Sequence, residues 1–402
     1  LHSRREKTEK LAKILYRKTY GNPFFLSQML VSICNQKLIT FNIKKGRWEW
    51  NEESINSFPI PDDVLVLILS RLNNLTKAQL DILKLASCIG NSFDTKTLSM
   101  VSNRREAEIA ALLIPAIMEG LVLQLIEGDH KPLSTGTEVQ NTTYEFLHDR
   151  VRQAVYSLFT ESEKKTAHLK VGRLILQLGM GEDLNDKILA AMDHMNRAID
   201  LITDQQECLK LAEYNLLAGR KAKASAAYDT AVNCIKAGIK LLPVNAWETY
   251  YDLCFDLYVE YAQNEFLIGN TSEAKELFGL IIRRAKSELD KADVLGLQIL
   301  LYTGSGEYAK AVEIGIKALK GLGMVIPANP STKDLLKELL WYKLFMSRRS
   351  IEDLYKLPEM KDPVQRKVAE LLIKFILATS TGYPNLHSFA IIKAGTHTLR
   401  YG

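Results

Sequence analysis

Beyond Phe159 the strand period disappears from this sequence. Apolar side chains recur at helical spacing instead, interrupted at Gly219, Pro243, Gly269, Gly306, Pro327, Pro358 and Gly382. Amphipathic helices that follow one another bury their stripes by packing together, and the breaks supply the turns between them. More than half of the chain is therefore predicted to form an all-helical superhelix.

Within that stretch the clearest unit is GEYAKAVEIGIKAL, Gly306 to Leu319. Its Gly306, Tyr308, Ala311, Ala318 and Leu319 fall at the tetratricopeptide-repeat spacing, which lets two helices approach over small side chains. Two weaker copies precede it: AGRKAKASAAYDTA with Gly219, Ala224 and Ala231, and IGNTSEAKELFGLI with Gly269 and Ala274. Their glycine intervals are uneven and longer than the usual period of about 34 residues, so the array reads as degenerate, with long helices.

The region before Phe159 is mixed. Leu11, Ile14 and Leu15 share one helical face, Gly21 stops that helix, Asn22 is placed to cap the next, and Pro23 stands at its first position. LITFNI and RWEW, separated by Lys44, Lys45 and Gly46, alternate in the strand period and predict a small hairpin. Ser57 to Pro61 then links to helical patterns over Asp62–Leu72, Thr76–Ile89, Asp94–Val101 and Arg104–Met118. Two strands follow, Leu121–Ile126 and Thr143–Leu147. Three helices and a two-stranded wing make a winged helix. The polar, turn-rich Glu127–Thr142 between the strands is expected to be the most mobile segment.

Composition removes several classes of function. The net charge of +5 is spread along 402 residues, with local concentrations only in SRREK and in Ser347–Arg349, too dilute to imply nucleic acid. The helix Arg104–Met118, which would enter a major groove, carries Glu106, Glu108 and an apolar run containing Pro115, with few side chains able to read base edges. That run, Ile109 to Met118, is about half the roughly 20 residues that span a bilayer. A basic first helix lying on anionic lipid is a weaker reading than an ordinary solvated face. Five cysteines lie in apolar helical patterns without CxxC spacing, as buried reduced thiols of a cytoplasmic protein would. The start at Leu1, with no apolar leader, reads as an excised fragment.

Catalytic signatures are missing as well. The sequence contains no GxxxxGK[ST], GxSxG, HExxH or kinase catalytic loop, and SEKK at Ser162 is a chance match to SxxK. No histidine stands at zinc spacing from another histidine or a cysteine, so no metal is expected. Six aromatic residues of the helical part, Trp247, Tyr250, Tyr251, Tyr258, Trp341 and Tyr342, could be core or could line a ligand groove, and the pattern does not separate the two.

Two strings remain. FLHDRVRQAVY, Phe146 to Tyr156, passes from strand to helix through His148 and Asp149, and GNPFFLSQML, Gly21 to Leu30, breaks one helix and begins another. On residues alone, His148 and Asp149 cap a helix start and Pro23 begins one. Together, and in this order, the strings resemble the winged-helix and helical-lid motifs of STAND-type signalling ATPases.

The resemblance implies that His148, with Asp149 beside it, contacts the β-phosphate of ADP and locks a resting state. It also implies that Pro23, with Phe24 behind it, packs on adenine. The phosphate-binding core is absent from the sequence, so the pocket would be complete only with that core. No cofactor is expected in this chain by itself, and ATP or ADP with magnesium is implied for the longer protein.

NLLAGRKAKASAAYDTA, Asn215 to Ala231, extends the resemblance to proteins that join a serine/threonine kinase, a STAND ATPase, helical repeats, a GAF domain and a histidine kinase. The fold class implied is mainly α, with 1–60 as lid end and hairpin, 61–160 as winged helix and 161–402 as repeats. The function implied is regulatory, with no enzymatic activity in this chain. The repeats would take a protein or small-molecule ligand, the flanking ATPase and kinase domains would be partners, and oligomerisation on activation is possible. Two alternatives stay open. One is a nucleotide-independent scaffold of helical repeats. The other is a regulator resembling the maltose-regulon activators, which would need a basic helix-turn-helix downstream.

Overall fold

A computed structural model describes residues 5–19, 21, 23–57, 64–125, 142–179, 184–347, 354 and 357–401. The chain divides into two compact units, Leu1–Val171 and Gly172–Gly402. Among the described residues it is mainly α, as the helical periodicity requires.

The first unit opens with α1 (Arg5–Thr19) and α2 (Pro23–Asn35). Gly21 between them has φ +75°, the left-handed conformation that favours glycine, and the exposed Tyr16 ring lies next to it. Asn22, the expected cap, lies outside the described residues. The hairpin follows as β1 (Ile39–Asn42) and β2 (Arg47–Trp50), antiparallel, with Ile39 opposite Trp50. Its turn is a short 3-10 segment closed by Gly46 at φ +58°. A helix that periodicity had not shown, α3 (Glu52–Ser57), comes next. Asn51 accepts hydrogen bonds from the Glu53 and Ser54 amides at its start, and Ile55 joins a core with Leu11, Leu15, Met29, Ile33 and Ile39. Of the expected linker, only Ser57 is described.

A second core in this unit gathers α4 (Val64–Leu72), α5 (Lys77–Ile89), α6 (Thr95–Ser102), α7 (Glu106–Met118) and α8 (Asp149–Ser157) around a sheet. That sheet has three strands rather than the two expected. β3 (Ser92–Asp94) joins β4 (Val122–Leu125) and β5 (Thr143–Phe146) in the order β3–β5–β4, all antiparallel. Three residues are too few to display a period, which is why β3 escaped the sequence. Its Phe93 places its ring centroid 6.0 Å from Tyr144 and 5.3 Å from Phe146, and all three side chains are buried. Asp94 accepts from the Thr97 amide at 2.8 Å and so starts α6. Of the loop expected to be most mobile, Glu127–Thr142, only Thr142 is described.

From α9 (Glu161–Leu178) onward every described element is helical: α10 (Leu184–Arg197), α11 (Gln205–Ala224), α12 (Tyr228–Lys240), α13 (Ala246–Thr249), α14 (Tyr251–Leu267), α15 (Thr271–Arg284), α16 (Glu288–Gly304), α17 (Tyr308–Gly321), α18 (Thr332–Met346), α19 (Pro363–Thr379) and α20 (Pro384–Tyr401). Neighbours pair as α11 with α12, α14 with α15, α16 with α17 and α19 with α20. Gly269, Gly306 and Gly382 turn the chain at φ +93°, +80° and +84°.

Gly219 does not break a helix. It sits inside α11, buried, where a Cβ would meet the Ile235 side chain of α12 at 2.5 Å, so its smallness serves helix approach. The break falls instead at Ser225–Ala227, where Ala226 takes φ +57°. A closer approach occurs at Gly315 of α17, whose added Cβ would lie 2.2 Å from the Phe375 ring of α19. Polar pairs cross the same helices. Asn215, fully buried, exchanges amide hydrogen bonds with Asn196, while Arg220 and Lys223 of α11 reach Glu260 of α14. The cysteines are free thiols, but Cys34 is exposed and Cys208 only partly covered, against the expectation that all are buried.

Candidate functional site

The alternation Thr143-Tyr144-Glu145-Phe146 sends Tyr144 and Phe146 into the core of the second sheet, and the Leu147 amide donates to the Leu121 carbonyl at 3.0 Å. The next residue leaves the ladder. His148 keeps an extended backbone, φ −157° and ψ 146°, and becomes the N-cap of α8. Val151, Ala154 and Val155 on one face of α8 are buried, which fixes the direction in which the helix starts.

The cap is made by the imidazole. His148 Nδ1 accepts from the Arg150 amide at 3.1 Å, so in the neutral ring the proton resides on Nε2. His148, Asp149 and Arg150 are all exposed. Asp149 accepts from Arg152 Nε at 3.0 Å and from Gln153 Nε2 at 2.6 Å, within its own helix. Arg152 also donates to the Ser87 carbonyl of α5 at 3.4 Å. The result is an exposed helix start at which an imidazole takes the Arg150 amide, with Arg150 itself exposed and the Arg152 guanidinium paired to Asp149. An N–H on Nε2 and the cationic neighbours Arg150 and Arg152 suit an anionic oxygen.

Pro23 is the first residue of α2 and is exposed. Its helix belongs to the Leu11–Ile55 core, whereas α8 belongs to the sheet core, so the two groups of expected site residues stand on separate hydrophobic clusters. The Phe24 side chain lies outside the described residues. Arg150 and Arg152 were missed as part of the site because charge count alone does not show which residues share a helix end.

The helix weighed for DNA reading, α7, buries Ile109, Leu113 and Ala116 and leaves Ala107, Glu108, Ala111, Ile114 and Met118 exposed, and Leu123 and Leu125 of β4 are exposed as well. Base edges require donors and acceptors, and apart from Glu108 the exposed side chains of α7 named here are apolar. It has the composition of a packing surface. Among the described residues no helix is long and apolar enough to cross a membrane.

The aromatic residues of the helical part separate into two groups. Trp247, Tyr251 and Tyr258 cluster, with Trp247 5.1 Å from the Tyr258 ring and 6.1 Å from the Tyr251 ring, and the Tyr251 hydroxyl donates to Asp290 at 2.7 Å. Trp341 instead lines a groove of about 500 Å³ between α18 and α20, facing Glu338, Lys393 and Arg400. Sequence reasoning had reached Trp341 but not its partners, which lie some fifty residues further on or belong to a charged stripe that reads as solvated.

No known family model matches this chain. It is similar to hybrid signal transduction histidine kinase G of Dictyostelium discoideum, 27% identical over 399 residues that cover 87% of this chain and 11% of that protein. It is also similar to the peroxide stress-activated histidine kinase mak3 of Schizosaccharomyces pombe, 24% identical over 316 residues that cover 75% of this chain and 13% of that protein. The chain thus spans about a tenth of the length of these relatives. Among solved structures it is similar to a signal transduction ATPase with numerous domains, a STAND protein with a tetratricopeptide repeat sensor, from Pyrococcus horikoshii. The TM-score is 0.36 at 14% identity, over 98% of this chain and 48% of that one.

Proposed function

We propose that this chain is a regulatory segment of a STAND-type signalling ATPase within a multidomain histidine kinase protein. Its first unit reads the nucleotide state of an ATPase core supplied by the rest of that protein, and its helical repeats receive the input. The single observation that carries this reading is the cap of α8. Because the Arg150 amide holds Nδ1, His148 in its neutral form presents its proton on Nε2 as a donor at an exposed, cationic helix start. The two similar histidine kinases support the signalling context, and the lid-like and winged-helix-like strings support the ATPase assignment.

In this reading ADP, when bound by the core, supplies a β-phosphate oxygen as acceptor. His148 donates to it, Arg150 and Arg152 stabilise the negative charge, and Pro23 contributes an apolar surface for the base. Asp149 acts through Arg152, holding the guanidinium at the helix start. Gaining or losing one hydrogen bond of this kind shifts a two-state equilibrium only by its difference between the states, so the lock is a bias and the repeats need to shift it by only a few kcal/mol. The apolar outer face of α7 and β4 is assigned to packing against the ATPase core rather than to DNA. This chain by itself is assigned no hydrolytic activity.

The test is ADP retention by the full-length protein carrying His148→Ala, compared with His148→Asn. Alanine loses both the cap and the donor, whereas asparagine can restore the cap. Faster ADP release and raised basal signalling in both variants are expected. If ADP affinity and signalling stay at the unmodified level, the lock is wrong. Partner binding that persists in the absence of nucleotide would favour the scaffold alternative.

A further inference from the structure

The groove between α18 and α20 is built from two facing stripes. On α18, Lys337, Glu338, Trp341 and Phe345 recur at helical spacing, and on α20 Phe389, Lys393 and Arg400 do the same. Tyr342 brings the helices together, its ring standing where a Cβ on Gly395 would be only 2.9 Å away. The lining is of mixed character: Trp341, Phe345 and Phe389 give it apolar surface, with the Trp341 and Phe345 ring centroids 6.3 Å apart, and Asp334, Lys337, Glu338, Lys393 and Arg400 give it charge.

The charged groups of the lining are not all matched. Lys393 Nζ donates to Glu338 Oε2 at 3.0 Å, but Oε1 of the same carboxylate is buried without a hydrogen-bond partner, in a residue that is 7% exposed. A buried carboxylate oxygen left unmatched is costly, on the order of 1–3 kcal/mol or more, and because Glu338 lines the groove a turn of its carboxylate lets a bound donor recover that. Asp334, the other acid of the groove, is committed to the start of α18, where it accepts from the Ser331 amide at 2.9 Å and from the Ser331 hydroxyl at 2.6 Å. Asp334 keeps its charge and feels Lys337, and Glu338 is paired with Lys393, so the groove is left with one net positive charge, which Arg400 supplies. The volume, about 500 Å³, falls in the range of small-molecule sites, roughly 300–1,000 Å³.

We propose that this groove binds a flat aromatic anion that also carries an N–H or O–H donor. The ring lies against Trp341, the donor pairs with Glu338 Oε1, and the anionic group meets Arg400 and Lys337. No covalent step is involved. The assignment of such a ligand as an input rests on the sensor role proposed above for the repeats, but its binding does not.

Isothermal titration calorimetry of the 402-residue chain with indole-3-acetate as probe tests it. Two comparison compounds dissect the contacts: 1-methylindole-3-acetate lacks the N–H donor, and tryptamine replaces the anion with a cation. Saturable one-to-one binding of indole-3-acetate is expected, weaker by roughly tenfold for the methylated compound and lost for tryptamine. Glu338→Gln provides one acceptor oxygen where the carboxylate provides two, so either Lys393 or the ligand loses its partner and affinity falls by about tenfold. Arg400→Ala has a similar effect. Absence of saturable heat, equal binding of all three compounds, or tighter binding of tryptamine overturns the proposal, and the ligand comparison decides even if a variant fails to fold. A failure here leaves ADP retention untouched, and loss of the ADP lock leaves this binding measurable, so the two readings fail separately.

Discussion

The sheet core of the first unit and the helical pairs of the second are stabilised by opposite uses of volume. Around α5 to α8 the interior is filled by large rings: Phe93, Tyr144 and Phe146 come from strands about fifty residues apart and meet only when the three-stranded sheet forms. Along the repeats the decisive positions are empty. Gly219, Gly238 and Gly315 let a neighbouring helix close until an added Cβ would lie 2.5, 3.0 and 2.2 Å from the facing side chain. The first arrangement is sensitive to lost volume and to lost helix starts, and the repeats, which lose stability like any core when a buried side chain is removed, should be sensitive to added volume as well.

That contrast can be broken at several points. The largest effect is expected from Phe375→Ala, which removes a fully buried ring from the facing side of Gly315 and should cost about 3–5 kcal/mol in denaturant unfolding. A cost near zero would show that the crossing is not filled as described. Gly315→Ala should cost about 1–3 kcal/mol by overpacking the same crossing, and combining it with Phe375→Leu should cost less than the two changes added together. Strict additivity in that double-mutant cycle would remove the claim that volume limits the repeats.

In the first unit Asp94→Ala should cost about 1 kcal/mol through the lost cap of α6, measured by thermal unfolding. Asp94→Ser should recover most of it, and failure of serine to do so would point away from capping.

Acid provides a further handle on the repeats. Burial pushes the Glu265 carboxyl up, but hydrogen bonds from Asn270 and Lys236 and the Lys236 charge outweigh it and hold the group below its usual value. A depressed carboxylate contributes stability that is present above its unfolded value, about 4.3, and is lost as the pH falls through the folded value. The unmodified chain should therefore lose melting temperature on acidification through that range more steeply than Glu265→Gln, and parallel slopes would contradict the pairing. The smallest effect is expected at Asn103, which closes α6 at φ +55°. Asn103→Gly should change stability by only a few tenths of a kcal/mol, since both residues accept that conformation, whereas Asn103→Val should be clearly worse.

Much of this was legible without coordinates. The hairpin was readable because LITFNI and RWEW alternate around a glycine-containing turn, and Gly46 indeed occupies the left-handed position. The start of α8 was readable from His148 and Asp149. Which ring nitrogen makes the cap was not, because that depends on the side-chain rotation relative to the Arg150 amide. Gly219 was misread as a break because a glycine that ends a helix and one that admits a neighbouring helix look the same in a string, and only the position of Ile235 separates them. β3 was invisible because three residues carry no period.

The sequence by itself determined the alternation of helices and turns, the mainly α class and the positions of the two motifs, since period, capping and turn chemistry act over a few residues. Tertiary structure alone decided which glycines face side chains, that β3 completes a sheet, and that Glu338 and Lys393 share a groove with Trp341. Those facts depend on the meeting of residues far apart in the chain, and a local pattern holds no record of which distant surface will be opposite.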